Sequence, residues 1–326
     1  MNIFVDKNSG IPLIGLIYFG IIDRGTNLLQ VRPTTICNLK CIYCSTSSGP
    51  FSQYHNINYT VEVNYLLEWL KKIVKYKGKG ILINIDSVGE PTTYPDLIKL
   101  IIGAKKIKGV TEVSMQTNGT LLTKEKIKKI ESAGLDKINF SINSMDPELA
   151  RKLSGVDFYD LNSIIEIIEY IAKNTRIELW LCPVWIPNIN DGEIPKLIEF
   201  AKTLDLKLGI QKYELHKYGR KPPGVKPITY KKFYRQLRLW EKEYKVKLIY
   251  KSKEIGMEKR RRIPEVIRRG EKITAIIKAP GWFKNQAIGV ARNRAITINN
   301  CKAEIGKKVK VKIIQNKNSI YLAEPI

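Results

Sequence analysis

Leu28-Leu-Gln-Val-Arg32-Pro-Thr-Thr-Ile-Cys37-Asn-Leu-Lys-Cys41-Ile-Tyr-Cys44 sets a short β-prone run directly ahead of three thiols. Residues 28–32 read as a strand, and the thiols, at spacings of four and three, fall in the loop that follows it. The chain holds five cysteines, three of them within eight positions, which is too few and too clustered for a secreted disulfide framework. Clustered thiols in a reducing compartment mean metal. Three thiolates are one short of saturating tetrahedral zinc or a four-iron cluster, so either His55, the one nearby histidine, completes a zinc site or one iron stays open to substrate or cofactor.

Outward from this stretch, residues 28–214 alternate short β-branched runs with amphipathic runs of helical period, the pattern of parallel strands joined by crossover helices. Strands are expected at 28–32, 81–86, 112–117, 137–143, 177–186 and 207–214, with helices at 61–75, 94–106, 124–133, 161–174 and 193–204. Parallel strands covered on both faces should be apolar throughout, yet these carry polar residues at alternate positions: Gln30 and Arg32; Asn84 and Asp86; Ser114, Gln116 and Asn118; Asn139, Ser141 and Asn143; Glu178, Trp180 and Cys182; Gln211 and Tyr213. If the sheet curls into a full or partial barrel, period-two alternation puts these on its concave wall. A polar lumen implies a polar ligand.

After residue 214 the pattern changes to a loop rich in Gly, Pro and basic residues (216–227), a basic amphipathic helix (230–244) and the charge run Lys259-Arg260-Arg261-Arg262, which reads as a junction. The last sixty or so residues show five short strands, at 272–277, 287–291, 294–299, 308–314 and 319–323, enough for a small closed barrel of the oligonucleotide-binding type. The expected fold is therefore α/β, a partial (βα)6 barrel over residues 1–267 followed by a small β-barrel over 268–326.

Composition narrows the partner. Lys and Arg total 56 against 31 Asp and Glu, a net charge of +25, whereas the 44% hydrophobic content is ordinary. Such an excess concentrates polyanions and favours nucleic acid, with a lysine-rich thermophile surface or an acidic membrane surface as the other readings. The apolar run 11–22 is too short to span a bilayer and is broken by Pro12, Gly15 and Gly20, so a cytoplasmic protein with no membrane partner is expected.

The Cys37, Cys41 and Cys44 spacing, with Tyr43 before the last thiol, resembles the radical SAM superfamily. That resemblance implies a [4Fe-4S] cluster on the three cysteines, S-adenosylmethionine (SAM) on the open iron, and reductive cleavage to a 5′-deoxyadenosyl radical with electrons from a donor such as ferredoxin or flavodoxin. It extends over residues 28 to about 215. Gly89, Glu90 and Pro91 resemble the family's GGEP segment, which holds the SAM amino group, although Val88 stands where the first Gly is usual. Asn118, Ser141 and Asn143 match positions contacting the SAM ribose and carboxylate, and 184–188, with Trp185 and Ile186, resembles the adenine-side segment through backbone contacts.

Only Cys182 and Cys301 remain, too few for a second cluster within one chain. Cys182, on the polar wall, could donate a hydrogen atom or carry a methyl group, or simply pack as a small hydrophobe. The rim stretch with Lys217, Tyr218, Arg220 and Lys221 mixes cations with aromatics as RNA contacts do. The terminal module, with Lys308, Lys310 and Lys312 on one strand, resembles a TRAM domain, which implies an archaeal-type enzyme modifying RNA, tRNA above all. The alternatives are a radical SAM enzyme acting on a protein or small metabolite, and a non-enzymatic iron–sulfur RNA-binding protein.

Overall fold

The structure, a computed structural model, describes residues 1–55 and 57–326. In chain order its main elements are β1 (Asn2–Val5), β2 (Gly20–Asp23), β3 (Leu28–Arg32), β4 (Asn58–Val61), α1 (Val63–Lys77), β5 (Ile81–Ile85), α2 (Leu97–Lys105) and β6 (Val110–Thr117). There follow α3 (Lys124–Ser132), β7 (Lys137–Phe140), α4 (Pro147–Ser154), α5 (Leu161–Asn174), β8 (Glu178–Leu181), β9 (Val184–Trp185), α6 (Glu193–Thr203), β10 (Lys207–Leu208), β11 (Gln211–Lys212) and α7 (Tyr230–Tyr244). The chain divides into two compact units, one of residues 1–36, 52–113 and 257–326, the other of 37–51 and 114–256.

In the first unit β3 pairs in parallel with β5, from Leu28 opposite Leu82 to Val31 opposite Ile85, and β2 runs antiparallel along the other edge of β3. The apolar run 11–22 supplies core rather than a strand of the parallel set: Ile11, Leu13, Leu16, Phe19, Ile21 and Ile22 are all at most 2% exposed. Gly15 sits in this run at φ +129°, against the Ala295 backbone, where a Cβ would collide with that carbonyl oxygen. Only glycine permits so close an approach.

The same unit contains β12 (Lys272–Pro280), β13 (Ala287–Ala291), β14 (Arg294–Ile298), β15 (Lys308–Gln315) and β16 (Leu322–Pro325), closed into a barrel in the order β12-β13-β14-β16-β15. Alternation decides the faces: Val311 and Ile313 point into a core with Ala275, Ile277, Ile296 and Ile298, while Lys308, Lys310 and Lys312 stand in solvent. Cys301 lies in that core. Where the basic run enters, Asp23 and Lys77 form a buried ion pair at 2.9 Å, with side chains 1% and 0% exposed. Asp23 also accepts from the Ile263 N–H at 2.8 Å, and Lys77 donates to the Arg261 carbonyl at 2.8 Å. The junction expected at 259–262 is thus pinned to the sheet by a buried pair that also hydrogen-bonds its backbone.

In the second unit the strand order is β10-β8-β7-β6, all parallel, with β9 and β11 as a separate parallel pair. The strands expected at 177–186 and 207–214 are each broken in two. Pro183 has no N–H for the ladder, so β8 ends before it; its carbonyl still accepts from the Gln211 N–H at 2.7 Å, which restarts pairing as β9 and β11. Helix α4 was not expected at all. Its signals were present: Asp146 caps it by accepting from the Leu149 N–H, Pro147 opens it, and Gly155 closes it in the left-handed region.

Candidate active site around the cysteine loop

The cysteine loop is held by backbone hydrogen bonds. The N–H groups of Lys40 and Ile42 donate to the carbonyls of Ser154 and Leu153, at 3.0 and 3.1 Å, so the C-terminal turn of α4 carries the loop. Gly155 (φ +71°) packs against the Lys40 carbonyl where a Cβ would collide with it. Within the loop the Cys44 N–H donates to the Cys41 carbonyl at 3.2 Å, and Cys37, Cys41 and Cys44 are all partly exposed and in no disulfide. Among the described residues no group of three or more His, Cys, Asp or Glu side chains stands gathered as a metal site.

Burial pushes the Cys41 thiol up to about 12, and the nearby Cys44 adds to this, while the Tyr43 hydroxyl and the Arg220 guanidinium work in the opposite direction. That cation belongs to a second support. Arg220 donates its own N–H to the Cys44 carbonyl at 2.8 Å, and its guanidinium donates to the carbonyls of Cys41 at 3.5 Å and Pro50 at 3.2 Å. Gly219 lies flat against the Cys44 and Ser45 carbonyls, where a Cβ would stand 2.9 and 3.0 Å away. Sequence reading put Arg220 among rim cations for RNA; the structure places its guanidinium on the cysteine loop. Lys217 and Lys221 are exposed, with the Lys217 ammonium 5.1 Å over the Tyr218 ring.

Two of the polar residues expected at strand ends, Asn118 and Asn143, are tied to the same loop. Asn118 donates to the Asn38 side chain at 3.1 Å, and Asn38 donates to the Thr120 hydroxyl at 2.7 Å. Asn143 donates to the Tyr43 hydroxyl at 2.6 Å and accepts from the Val184 N–H at 2.7 Å. Asn190, not singled out in the sequence, donates to the carbonyls of both Asn143 and Val184 at 2.9 Å and accepts from the Ile186 N–H at 2.7 Å. Trp185 is buried, its indole N–H on Asp191 at 2.9 Å, and Ile186 packs with Leu153, Tyr213, Ile42 and Tyr43. Ser141 is half-buried, its N–H on the Thr117 carbonyl at 2.8 Å. Cys182 is buried with its Sγ 3.9 Å from the Asn139 side-chain oxygen, and burial raises the thiol to about 12, so at neutral pH it is an S–H group.

In the first unit, the segment Gly89-Glu90-Pro91 forms a turn on the Ile36 carbonyl, the residue directly before Cys37 in the chain. The Glu90 N–H donates to that carbonyl at 2.8 Å, and a Cβ on Gly89 would collide with it. Glycine is required here by close approach. Val88 has no left-handed backbone, so the usual first glycine of this segment is not demanded at its position. Glu90 is 2% exposed and accepts from the Thr92 N–H and hydroxyl at 3.0 and 2.7 Å. On the wall of this unit, Gln30 donates to Asp86 at 2.7 Å and Arg32 pairs with Asp86 at 3.0 Å.

The model of the Radical SAM superfamily matches residues 31–201, from β3 through most of α6. The chain belongs to the radical SAM superfamily. This radical SAM protein is 42% identical over 97% of its length to Uncharacterized protein MJ0103 of Methanocaldococcus jannaschii, covering 79% of that protein. It is 28% identical to the Probable GTP 3′,8-cyclase of Thermococcus kodakarensis, over 73% of this chain and 72% of that protein. Among solved structures, Streptococcus suis SuiB bound to S-adenosylmethionine superposes with a TM-score of 0.53 at 19% identity, covering 73% of this chain and 49% of SuiB. TYW1 with a lysine-pyruvate adduct gives 0.50 at 20% identity, over 74% of this chain and 80% of TYW1. Both show the shared α/β fold with its parallel sheet. No helix among the described residues is long and apolar enough to cross a membrane.

Proposed function

We propose that this radical SAM protein holds a [4Fe-4S] cluster on Cys37, Cys41 and Cys44 and modifies an RNA, tRNA foremost, at an unreactive carbon. The three thiols suit that group: they share one loop, their number leaves a coordination position open, and a neighbouring cation offsets thiolate charge. When bound, the cluster and SAM together supply a 5′-deoxyadenosyl radical that takes a hydrogen atom from substrate, with the electron drawn from a small donor such as ferredoxin or flavodoxin. The protein's part is positioning. In this reading the Gly89–Pro91 backbone and Glu90 receive the SAM amino group, Asn118, Ser141 and Asn143 serve its ribose and carboxylate side, and Trp185 and Ile186 offer backbone to the adenine. In the same reading Cys182, kept protonated by burial, would be the hydrogen-atom donor.

RNA is carried by the outer face of the terminal barrel, which we read as a TRAM-like module of residues 268–326. Lys272 lies directly opposite Lys312 across β12 and β15, with Lys310 and Lys308 next along the row. Like charges opposite one another in a sheet cost stability, and neutralising phosphates removes that cost. Binding of tRNA with a steep salt dependence that flattens on Lys308, Lys310 and Lys312→Gln tests it, alongside anaerobic release of 5′-deoxyadenosine from SAM. Unchanged RNA affinity in the triple variant would exclude this face.

A second reading, a free nucleotide as substrate, is favoured by the similarity to GTP 3′,8-cyclases at 28–31% identity. The two thiols left over, Cys182 and Cys301, are too few to add a second cluster to it. Conversion of GTP without RNA would decide for it.

A further inference from the structure

Helix α7 has two faces with unlike contents. Phe233, Leu237 and Trp240 are buried, and the Phe233 and Trp240 rings meet Trp185 at 5.8 and 5.0 Å. The opposite face carries Lys231, Lys232, Arg235, Arg238 and Lys242, all exposed, with Glu243 its one exposed acid. Cations are ordinary on a solvated helix face. Two large rings among them are not: Tyr230 is 59% exposed and Tyr234 41%.

These rings are ordered rather than loose. Spaced i, i+4, they lie 6.2 Å apart with planes 25° off parallel. Lys212, its side chain 7% exposed, sits below with its ammonium 4.8 Å from the centre of the Tyr230 ring. Glu214 neighbours the Tyr230 hydroxyl and pairs with Lys212 at 2.9 Å. With Lys212 at one face and Tyr234 beside it, Tyr230 is still 59% exposed.

We infer that the exposed face of α7 is a stacking platform for unpaired RNA bases, with Tyr230 and Tyr234 as the aromatic surface and Lys231, Arg235 and Arg238 as phosphate contacts. It rests on the RNA reading above and adds the part of the RNA recognised. An exposed, near-parallel pair of rings bordered by cations can extend its stack to the π-face of a base and hold the adjoining phosphate, and takes every base alike. A duplex offers no such face. The platform therefore grips a loop or a flipped segment of the substrate, while the lysine row of the barrel contacts phosphates irrespective of base pairing. Fixed rings lose little rotamer freedom on binding, which favours a platform over a flexible arm.

The test measures fluorescence anisotropy of the full chain with a labelled single-stranded oligoribonucleotide and with a blunt RNA duplex. Tyr230→Ala/Tyr234→Ala should weaken single-strand binding about tenfold or more, as loss of one or two stacked bases does, and leave duplex binding unchanged. Tyr230→Phe/Tyr234→Phe should bind as the wild type, since the ring is retained. Arg235→Gln/Arg238→Gln should lower the salt slope for the single strand by about 1.4. Photocrosslinking of a 5-bromouridine oligonucleotide, followed by peptide mapping, reads the platform in the unmutated protein and should mark 230–234. Wild-type affinity in the double alanine variant, or crosslinks confined to other segments, would overturn the platform and leave an RNA substrate standing. A wild-type chain with no affinity for either RNA would remove both.

Discussion

Replacing Arg220 by Gln should loosen the cysteine loop without unfolding the protein. Two carbonyls lose a charged donor, Cys41 at 3.5 Å and Pro50 at 3.2 Å, whereas the Arg220 backbone N–H on the Cys44 carbonyl is kept. A hydrogen bond to a charged group contributes about 1.5–3 kcal/mol. The first of these is long and the second lies in an exposed setting, so the pair counts as roughly one such bond, about 1.5–2 kcal/mol, or a 10- to 30-fold rise in the open population of the loop. Hydrogen exchange of amides 37–49 in the metal-free protein should quicken by that factor, while amides in the barrel stay unchanged. Iron bound after reconstitution should be released faster to a chelator by a similar factor. Arg220→Lys should fall between, because an ammonium keeps the charge but cannot fork across two carbonyls. Exchange and iron retention equal to wild type in Arg220→Gln would refute the clamp.

Lys77→Met strands the Asp23 carboxylate in a site where both side chains are at most 1% exposed, and should cost about 3–5 kcal/mol in a denaturant melt, more than Asp23→Asn/Lys77→Met together. Glu193 accepts from Ser144, Met145 and Asp146 at 2.7–3.0 Å and from Lys196 at 2.7 Å. Burial alone would raise this carboxyl, yet these donors hold it below its ordinary value of 4.5. The stability it contributes is complete above that ordinary value and is lost as pH falls through the lower folded one, so Glu193→Gln should flatten the acid arm of a thermal melt profile below about pH 4.5 and lower the melting temperature at pH 7. Cys182, raised to about 12, should resist iodoacetamide at pH 8 in folded protein and react on unfolding; rapid labelling in the native state would contradict its burial.

The sequence was legible where one period ran unbroken. Strand 28–32, helix 161–174, helix 230–244 and the barrel strand 287–291 were expected with the bounds the structure shows. Reading failed where a single residue broke the ladder, as Pro183 does between β8 and β9, because a continuous run of apolar and aromatic residues masks a missing donor. It failed again at α4, whose eight residues are too few to show a helical period although Asp146-Pro147 marks its start. The three thiols were found by spacing alone. Arg220 and Gly219 lie more than 170 residues from them in the chain, and nothing local says that a guanidinium turns back on a carbonyl.

The polar positions that first pointed to a ligand have a more specific meaning once their partners are known. Asn118 and Asn143 stand at the ends of successive strands, and each directs its side chain to the cysteine loop, one to Asn38 and the other to Tyr43. Period-two alternation put them on the concave wall, but what they do there is fix where the thiol loop sits relative to the sheet. Asn143 goes further, since it also accepts from the Val184 N–H and so sets the start of β9, where adenine contacts are proposed. A single amide thus connects the residue before Cys44 to the adenine-side backbone. Asn143→Ala would release both at once and Asn143→Asp only the donation to Tyr43, so a difference between the two in SAM affinity, measured apart from iron content, isolates the β9 end of that link.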